Sequence, residues 1–313
     1  MDSPVRPGGS DGPQRRPRVG HLDFLNSLPL YWGLGRNGAL IDLDITADTP
    51  DRLSAALTDG RLDVGPISLV EFLRHQDDLV ALPEPAIGSD GPVMSCLIVS
   101  RGPLKELDGR TVALSTTSRT SILLAELLLD RCVGVSPVFR PASGGAGAML
   151  EGADAAVLIG DAALHASLHE APRLGLQVHD LGAMWKDWTG LPFVFALFAA
   201  RRSYLAAEPD AVENVHRALV RGRDVGLREI DRICAHAARW TPYPPDFLHR
   251  YFTRALDYTL GSAQLAGIAE FARLAGGARA GFAPDTTVTV LAHASVSPGG
   301  PAGRPTTEPE EPR

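Results

Sequence analysis

Short apolar runs typical of buried β-strands alternate along this chain with segments of helical periodicity, and this alternation restricts the fold more than any other feature. The strand-like runs lie at residues 18–24, 62–67, 93–100, 111–114, 155–159 and 193–199. Strands that alternate with helices form parallel sheets covered by helices on both faces. We therefore predict an α/β protein.

Local signals indicate where several helices begin. Pro50 stands where the first turn of a helix accepts proline. Ser68 and Glu71 have the spacing of a capping box, in which each side chain satisfies the backbone N–H of the other residue. Residues 120–132 have a helical pattern, and from Pro209 onward three successive apolar stripes predict a helical C-terminal part.

Length and charge exclude several classes of protein. A chain of 313 residues can bury a core large enough for two domains, and no apolar run approaches the roughly 20 residues of a bilayer span. The net charge of −7 argues against broad electrostatic binding to nucleic acid or to an anionic membrane. We expect neither partner, and any anionic ligand must be held by local geometry.

Cysteine spacing and the composition of the two ends bear on the cellular compartment. Cys96, Cys132 and Cys234 are widely spaced, which indicates neither a disulfide framework nor a metal motif and fits a reducing compartment. Residues 1–17 are rich in Pro, Gly and Arg and lack the apolar segment of an export signal, and residues 294–313 are similarly rich in Pro, Gly and Glu. We predict two disordered tails and a cytoplasmic location.

The familiar catalytic motifs of hydrolases, nucleotide-binding loops and zinc helices are absent from the sequence. His165 and His169 lie one helical turn apart and could share a metal, but without an evident third ligand a solvated helix face is favoured. His21 and Asp23 lie on the same side of a strand, where a structural hydrogen bond is favoured over a catalytic pair. We predict no metal and no cofactor.

Small polar residues cluster where strands give way to turns, in segments 24–29, 88–95, 115–121, 159–161 and 188–192. The carboxyl ends of strands line the ligand crevice of open α/β sheets, so these five loops could converge on one site. Ordinary turn chemistry would explain each loop taken singly. Segment 115–121 is the exception, because six of its seven residues carry hydroxyls and lead into an apolar helix, whose N-terminus can bind a carboxylate or phosphate.

These loops carry a resemblance that runs in order through nearly all of residues 18–290. The chain resembles the chorismate dehydratases of the futalosine route to menaquinone, and the matching residues are 18–29, 62–68, 91–95, 118–121 and 189–195. Ser27 is one departure, since that family often has Cys there. The resemblance implies a type II periplasmic-binding-protein fold, with two α/β lobes joined by two crossing strands and a ligand cleft between them.

On this reading the first lobe comprises residues 18–100 and 198–293, and the second comprises residues 101–197. The resemblance also implies a carbon–oxygen lyase that removes water from chorismate, a dianion, to leave 3-[(1-carboxyvinyl)oxy]benzoate. Asn26 matches the family's active-site Asn, and we add Ser95 and Asp161 as catalytic candidates. The candidates for substrate binding are Ser118, Arg119, Thr120, Ser121, Gly160 and Thr189.

Several roles stay open at this point. The ring proton goes either to the substrate's own enolpyruvyl carboxylate or to Asp161, provided that burial raises the pKa of Asp161. Arg119 either clamps a carboxylate or faces solvent. Trp185 and Trp188 either stack on the ring or belong to the core. The rival function is a non-catalytic solute-binding or sensing protein for a small anion, because the same fold serves transport and sensing.

Overall fold

The computed structural model describes residues 15–116 and 118–292, so most of the two predicted tails lies outside the described residues. The strands of the described part are β1 (Arg18–Leu22), β2 (Asp44–Asp48), β3 (Val64–Ser68), β4 (Leu79–Ser89), β5 (Cys96–Ser100), β6 (Thr111–Ser115), β7 (Val138–Ala142), β8 (Ala155–Ile159), β9 (Gln177–Asp180) and β10 (Phe193–Arg201). They form two five-stranded sheets, with the orders β2-β1-β3-β10-β4 and β7-β6-β8-β5-β9. The α/β class is confirmed.

Helices fill the connections between these strands. They are α1 (Leu28–Arg36), α2 (Pro50–Thr58), α3 (Leu69–Arg74), α4 (Arg119–Leu127), α5 (Ala146–Met149), α6 (Gly160–His165), α7 (Ala171–Leu174), α8 (Leu181–Thr189), α9 (Arg202–Ala207), α10 (Pro209–Arg228), α11 (Ile230–Ala237), α12 (Pro245–Arg250) and α13 (Ser262–Ala275). The chain after residue 209 is therefore helical, as its apolar stripes predict.

Both sheets are mixed, so the prediction of parallel sheets is wrong for two strands. β10 runs antiparallel to β3 and β4, and β5 runs antiparallel to β8 and β9. The remaining pairs are parallel. β5 and β10 are the strands by which the chain enters one sheet after leaving the other. An apolar run shows that a strand is buried but not which way it runs.

The point at which the chain changes sheets differs from the predicted boundaries at residues 100 and 197. β5 pairs only with strands of the second sheet, and β10 pairs only with strands of the first. The changeover therefore lies before each strand, at residues 90–95 and 190–192. We call residues 15–89 with 193–292 the first lobe and residues 96–189 the second lobe, and residues 90–95 the crossing segment.

The helix starts agree with their local signals. Pro50 is the first residue of α2, and the Ser68 hydroxyl accepts the Glu71 N–H at 3.4 Å at the start of α3. The Glu71 carboxylate binds Arg74 at 2.6 Å, so one half of the predicted capping box is replaced by an ion pair. The predicted helix at 120–132 is α4, which continues as a π-helical turn to residue 133.

One large apolar cluster contains residues of both lobes and joins them. Trp185 is fully buried within it and packs edge-on against Trp188, Phe193 and Phe271. Its indole N–H donates to the carbonyl of Pro192 at 3.2 Å. Trp185 therefore belongs to the core that holds α8 against β10, and it does not stack on a ligand.

Part of the predicted N-terminal tail is attached to the first lobe. Arg15 and Arg18 bind the fully buried Asp63 carboxylate at 2.8 and 2.7 Å. Burial alone would raise the pKa of Asp63, but the hydrogen bonds from the two guanidinium groups outweigh it and lower that pKa to about 2. The folded part accordingly begins before residue 18.

Candidate functional site

A cavity lies between the two lobes, with about 580 Å³ of empty space that includes the open solvent at its mouth. Its lining comes from both sheets and from the crossing segment, and consists of Leu22, Phe24, Asn26, Pro50, Pro66, Ile67, Ser68, Ile87, Val93, Ser95, Cys96, Ser118, Ser121, Ile159, Gly160, Phe195 and Ala196. Four of the five predicted loops contribute to this lining, namely 24–29, 88–95, 115–121 and 159–161.

The fifth predicted loop, residues 188–192, does not line the cavity. The Thr189 hydroxyl donates to the Trp185 carbonyl at 2.9 Å and accepts the Leu191 N–H at 3.2 Å. These are the bonds of a helix C-terminus, so ordinary turn chemistry accounts for Thr189. Its predicted place in a substrate site is not supported by its position.

Asn26 lies in a short 3-10 turn, Leu25–Ser27, directly after β1 and is 8% exposed. Its backbone carbonyl accepts a hydrogen bond from the Tyr258 hydroxyl at 2.8 Å. Its side-chain oxygen is buried and has no partner within the described part of the chain. Because a buried polar atom without a partner is costly, this oxygen is available to accept a hydrogen bond from a ligand.

Ser27, at the position where the resembling family often has Cys, serves the turn itself. Its hydroxyl interacts with the carbonyls of Leu22 and Phe24, and it does not line the cavity. The departure from the family pattern therefore concerns how the Asn26 turn is held.

Ser95 ends the crossing segment and faces the cavity with a hydroxyl that is 3.4 Å from the Val93 carbonyl, a long hydrogen bond. Tyr251 lies behind it and is fully buried, with a hydroxyl that has no partner among the described residues. Burial raises the pKa of Tyr251 well above its ordinary value, and the nearby Ser95 hydroxyl opposes that shift. Tyr251 is thus a neutral phenol beside the site, which the sequence reasoning missed.

The start of α4 supplies two hydroxyls to the cavity. Ser118 is the N-cap, and its hydroxyl accepts the Ser121 N–H at 3.3 Å and lies 3.2 Å from the Ser121 hydroxyl. The Cys96 thiol lies 3.4 Å from the same Ser121 oxygen. Burial raises the pKa of Cys96 to about 12, so this thiol is protonated and is not a nucleophile.

Two other residues predicted at this helix start do not line the cavity. Thr120 is fully buried, and its hydroxyl accepts the Val70 N–H at 3.1 Å, which ties α4 to α3. Arg119 is exposed. Helical geometry points consecutive residues in different directions, so only Ser118 and Ser121 of the predicted group share the cavity face.

Gly160 and Asp161 follow β8 and differ in their relation to the cavity. Gly160 lines it at a φ of +57°, and a Cβ there would lie 3.3 Å from the Phe24 ring. The Asp161 carboxylate accepts the Leu25 N–H at 3.2 Å and does not line the cavity. Burial raises the pKa of Asp161, and the charge of Asp23 adds to the shift. Asp161 thus joins the second lobe to the turn that carries Asn26.

The histidine candidates lie outside the cavity. The rings of His165 and His169 are 4.9 Å apart, and the described residues contain no group of three potential metal ligands. The His21 ring stacks on Tyr31 at 3.6 Å, and burial lowers the pKa of His21. These side chains therefore do not contribute to the site.

The chemistry available in the cavity follows from its lining. None of the described residues that line it is charged, and its polar groups are hydroxyls, one thiol and one amide. The N-terminus of α4 adds the positive end of a helix dipole. The arrangement can donate hydrogen bonds to an anion and cover a ring with apolar surface, but it offers no charged base and no nucleophile of its own.

No helix within residues 15–116 and 118–292 has the length and apolar character needed to cross a bilayer.

The fold is that of periplasmic binding proteins. An alkanesulfonate-binding protein of Xanthomonas axonopodis pv. citri superposes with a TM-score of 0.64 at 18% identity, covering 90% of this chain and 99% of that one. A periplasmic aliphatic sulphonate binding protein of Escherichia coli gives 0.61 at 17% identity, covering 94% and 97%.

Sequence comparisons identify the family. A family model described as menaquinone biosynthesis matches residues 17–276. A chorismate dehydratase of Thermus thermophilus is 32% identical over 265 residues, which are 81% of this chain and 93% of the relative. A 1,4-dihydroxy-6-naphtoate synthase of the same organism is 31% identical over 188 residues, or 59% and 66%. The chain therefore belongs to the menaquinone biosynthesis family, as its resemblance to the chorismate dehydratases predicts.

Proposed function

We propose that this protein is a chorismate dehydratase, a carbon–oxygen lyase that converts chorismate to 3-[(1-carboxyvinyl)oxy]benzoate and water on the futalosine route to menaquinone. The observation that carries the proposal is the unpartnered side-chain oxygen of Asn26 in an uncharged cavity between the lobes. The 32% identity to a chorismate dehydratase along nearly that protein's whole length supports it.

The cavity suits the parts of the substrate. Chorismate carries two carboxylates on a compact ring system, so it needs two groups of hydrogen-bond donors and an apolar surface. The start of α4, at Ser118 and Ser121, is the proposed site for one carboxylate. Ser95 with the backbone around it is the proposed site for the other. Phe24 and Phe195 offer apolar surface for the ring.

The reaction needs orientation more than a strong catalyst, because the ring becomes aromatic as water leaves. The C–H bond at the ether-bearing ring carbon breaks, its electron pair enters the ring, and the neighbouring C–O bond breaks to release the hydroxyl, which leaves as water after taking up a proton. Asn26 is proposed to bind this hydroxyl or the enolpyruvyl arm, since an amide both donates and accepts hydrogen bonds. Such preorganised donors stabilise developing charge.

We propose that the enolpyruvyl carboxylate of the substrate accepts the ring proton. Asn26 and Ser95 would hold that arm in a near-attack geometry, which removes much of the entropic barrier. The competing base, Asp161, is less suited, because its carboxylate is bound to the Leu25 N–H and lies outside the lining. Its raised pKa is the one property that would favour it.

The free thiols of Cys96, Cys132 and Cys234 suit a reducing compartment, and we propose that the enzyme acts in the cytoplasm.

The division into two lobes at the crossing segment and at residues 190–192 is likewise proposed, on the sheet membership of β5 and β10.

The decisive experiment is to incubate the purified protein with chorismate and follow the ultraviolet spectrum for an aromatic product. We expect the benzoate ether to form, with a mass lower than that of chorismate by one water, and we expect Asn26→Ala to abolish most of the change. A protein that binds chorismate by calorimetry and leaves the spectrum unchanged is a binding protein. That result would overturn the proposal.

A further inference from the structure

The crossing segment is held by the carboxylate of Asp180, the last residue of β9. One carboxylate oxygen, Oδ1, accepts the Val93 N–H at 3.0 Å, and the other, Oδ2, accepts the Met94 N–H at 2.7 Å. The same Oδ1 caps α8 by accepting two further backbone N–H groups, at 2.9 and 3.1 Å. One side chain thus joins the crossing segment to the first turn of a helix in the second lobe.

Met94 has a conformation that needs such support. Its φ is +63°, in the left-handed region, and among the described residues it is the one non-glycine with a positive φ. This conformation is unfavourable for a residue with a Cβ and persists only where the surroundings impose it. Ser95 follows Met94 directly, so the direction of its hydroxyl depends on the backbone at Met94.

A second contact, independent of the carboxylate, presses the start of α8 against the same stretch of chain. A Cβ on Gly182 would lie 2.5 Å from the Gly91 carbonyl oxygen and 2.6 Å from the Ser89 hydroxyl. Because real Cβ atoms do not approach other atoms so closely, only glycine fits at position 182. The crossing segment is therefore fixed to the second lobe at two points, one polar and one steric.

We propose that Asp180 is a positioning residue of the active site, which sets the place of the Ser95 hydroxyl through its bond to the Met94 N–H. The inference rests on the proposed function, because it assigns Asp180 to the reaction in which Ser95 takes part. It adds a residue 85 positions beyond Ser95 in the sequence, on a strand that does not itself line the cavity.

Asp180→Asn tests this role most directly, because it changes the acceptor for the Met94 N–H and can keep the cap of α8. Asparagine is a good N-cap, so its oxygen can keep the Oδ1 bonds that hold α8. Its NH2 group would then face the Met94 N–H, placing a donor against a donor. We expect kcat to fall about tenfold or more with a smaller change in KM, since misplacing a group near the chemistry costs rate more than binding.

The control is Glu170→Gln. The Glu170 carboxylate also accepts two backbone N–H groups, those of Ala146 and Gly147 at 3.0 and 3.2 Å, at the start of α5 in the second lobe. It does not line the cavity. We expect Glu170→Gln to lower Tm by an amount similar to that of Asp180→Asn and to leave kcat unchanged.

A double-mutant cycle with Ser95→Ala separates positioning from general destabilisation. If Asp180 acts through Ser95, Asp180→Asn should lower kcat less than about threefold in the Ser95→Ala background.

Met94→Gly in the Asp180→Asn background should restore part of the lost kcat, because glycine adopts the left-handed conformation without a steric cost. This double variant is also assayed if Asp180→Asn alone does not fold.

This inference would be overturned if Asp180→Asn kept the wild-type kcat, or if the losses of kcat in Asp180→Asn and Ser95→Ala multiplied in the double variant. Either result would leave the proposed function standing. Failure of Met94→Gly to restore a folded or active protein would also count against it. A wild-type protein that leaves chorismate unchanged would overturn the proposed function and this inference together.

Discussion

The two lobes contribute different chemistry to the cavity between them. The wall from the first lobe, which we call the apolar wall, is mostly hydrocarbon, and its members are Leu22, Phe24, Asn26, Pro50, Pro66, Ile67, Ser68, Ile87, Phe195 and Ala196. The wall from the second lobe and the end of the crossing segment, which we call the donor wall, concentrates hydroxyl and thiol groups at Ser95, Cys96, Ser118 and Ser121.

This difference has a structural origin. Helix starts reach both walls, but on the apolar wall Pro50 begins α2 without an N–H and Ser68 already caps α3. The donor wall gathers around the start of α4, where helix geometry leaves backbone N–H groups without intrahelical partners. We infer that the first lobe recognises the ring by contact area and the second recognises oxygen atoms by hydrogen bonds. Asn26 and Ser68 are the polar members of the apolar wall, and the Ser68 hydroxyl is occupied in capping α3.

Loss of the amide of Asn26 is the largest effect we expect. Asn26→Ala should lower kcat by about 100- to 1,000-fold, the usual effect of removing one preorganised hydrogen-bonding group from an active site. Asn214→Ala, on the exposed face of α10, is the control and should keep wild-type kcat. Turnover of Asn26→Ala within threefold of the wild type would show that the Asn26 amide has no catalytic role.

Loss of one hydroxyl from the donor wall should act mainly on binding. Ser121→Ala should raise KM about tenfold, because a hydrogen bond to a charged group contributes about 1.5–3 kcal/mol and is partly replaced by water. Steady-state kinetics on chorismate measures this change. Arg119→Gln, at an exposed position two residues earlier, should leave KM unchanged, and a tenfold rise there instead would place the carboxylate on the guanidinium.

Reduction of the ring contact on the apolar wall should have a smaller effect. Phe24→Leu should raise KM about three- to tenfold, in line with the 0.5–1.5 kcal/mol of an aromatic contact beyond its buried area. The control is Trp188→Leu, which perturbs the core around Trp185 and should lower Tm with KM unchanged. An unchanged KM in Phe24→Leu would mean that the ring is bound elsewhere.

Neutralising Asp161 should have the smallest effect. Asp161→Asn keeps an acceptor for the Leu25 N–H, and kcat should stay within about threefold of the wild type. If Asp161 were the base, kcat/KM would rise as the pH increased through its raised pKa, and the variant would lack that rise. A pH profile with such a rise, lost together with a hundredfold of kcat in Asp161→Asn, would assign the proton to this carboxylate.

Much of the site could be predicted because its loops have local signals. The hydroxyl-rich segment 115–121 and the turn after β1 both lie at the cavity. Thr120 and Arg119 share the composition of that segment but not its cavity face, and Thr189 has the residue type of a binding loop while it closes a helix. Composition does not distinguish these cases, because the direction of a side chain depends on its exact place in the element.

The residues that sequence reasoning missed act across long distances in the chain. Tyr258 reaches the carbonyl of Asn26, and Tyr251 lies behind Ser95. Asp180 has the ordinary residue type of a helix N-cap, and its bonds to Val93 and Met94 have no local signal. Tyrosine and aspartate are common in segments that mix polar and apolar residues, so their presence there does not predict such a contact.

The sequence by itself determined the α/β class, the starts of several helices and the polar character of the cavity loops, because these depend on burial patterns and backbone preferences within a few residues. The tertiary structure alone decided that β5 and β10 run against their neighbours, that Asp161 faces a backbone N–H instead of the cavity, and that Asp180 supports Met94. These features depend on which distant segments contact each other when the two sheets pack together, and short-range sequence patterns do not contain that information.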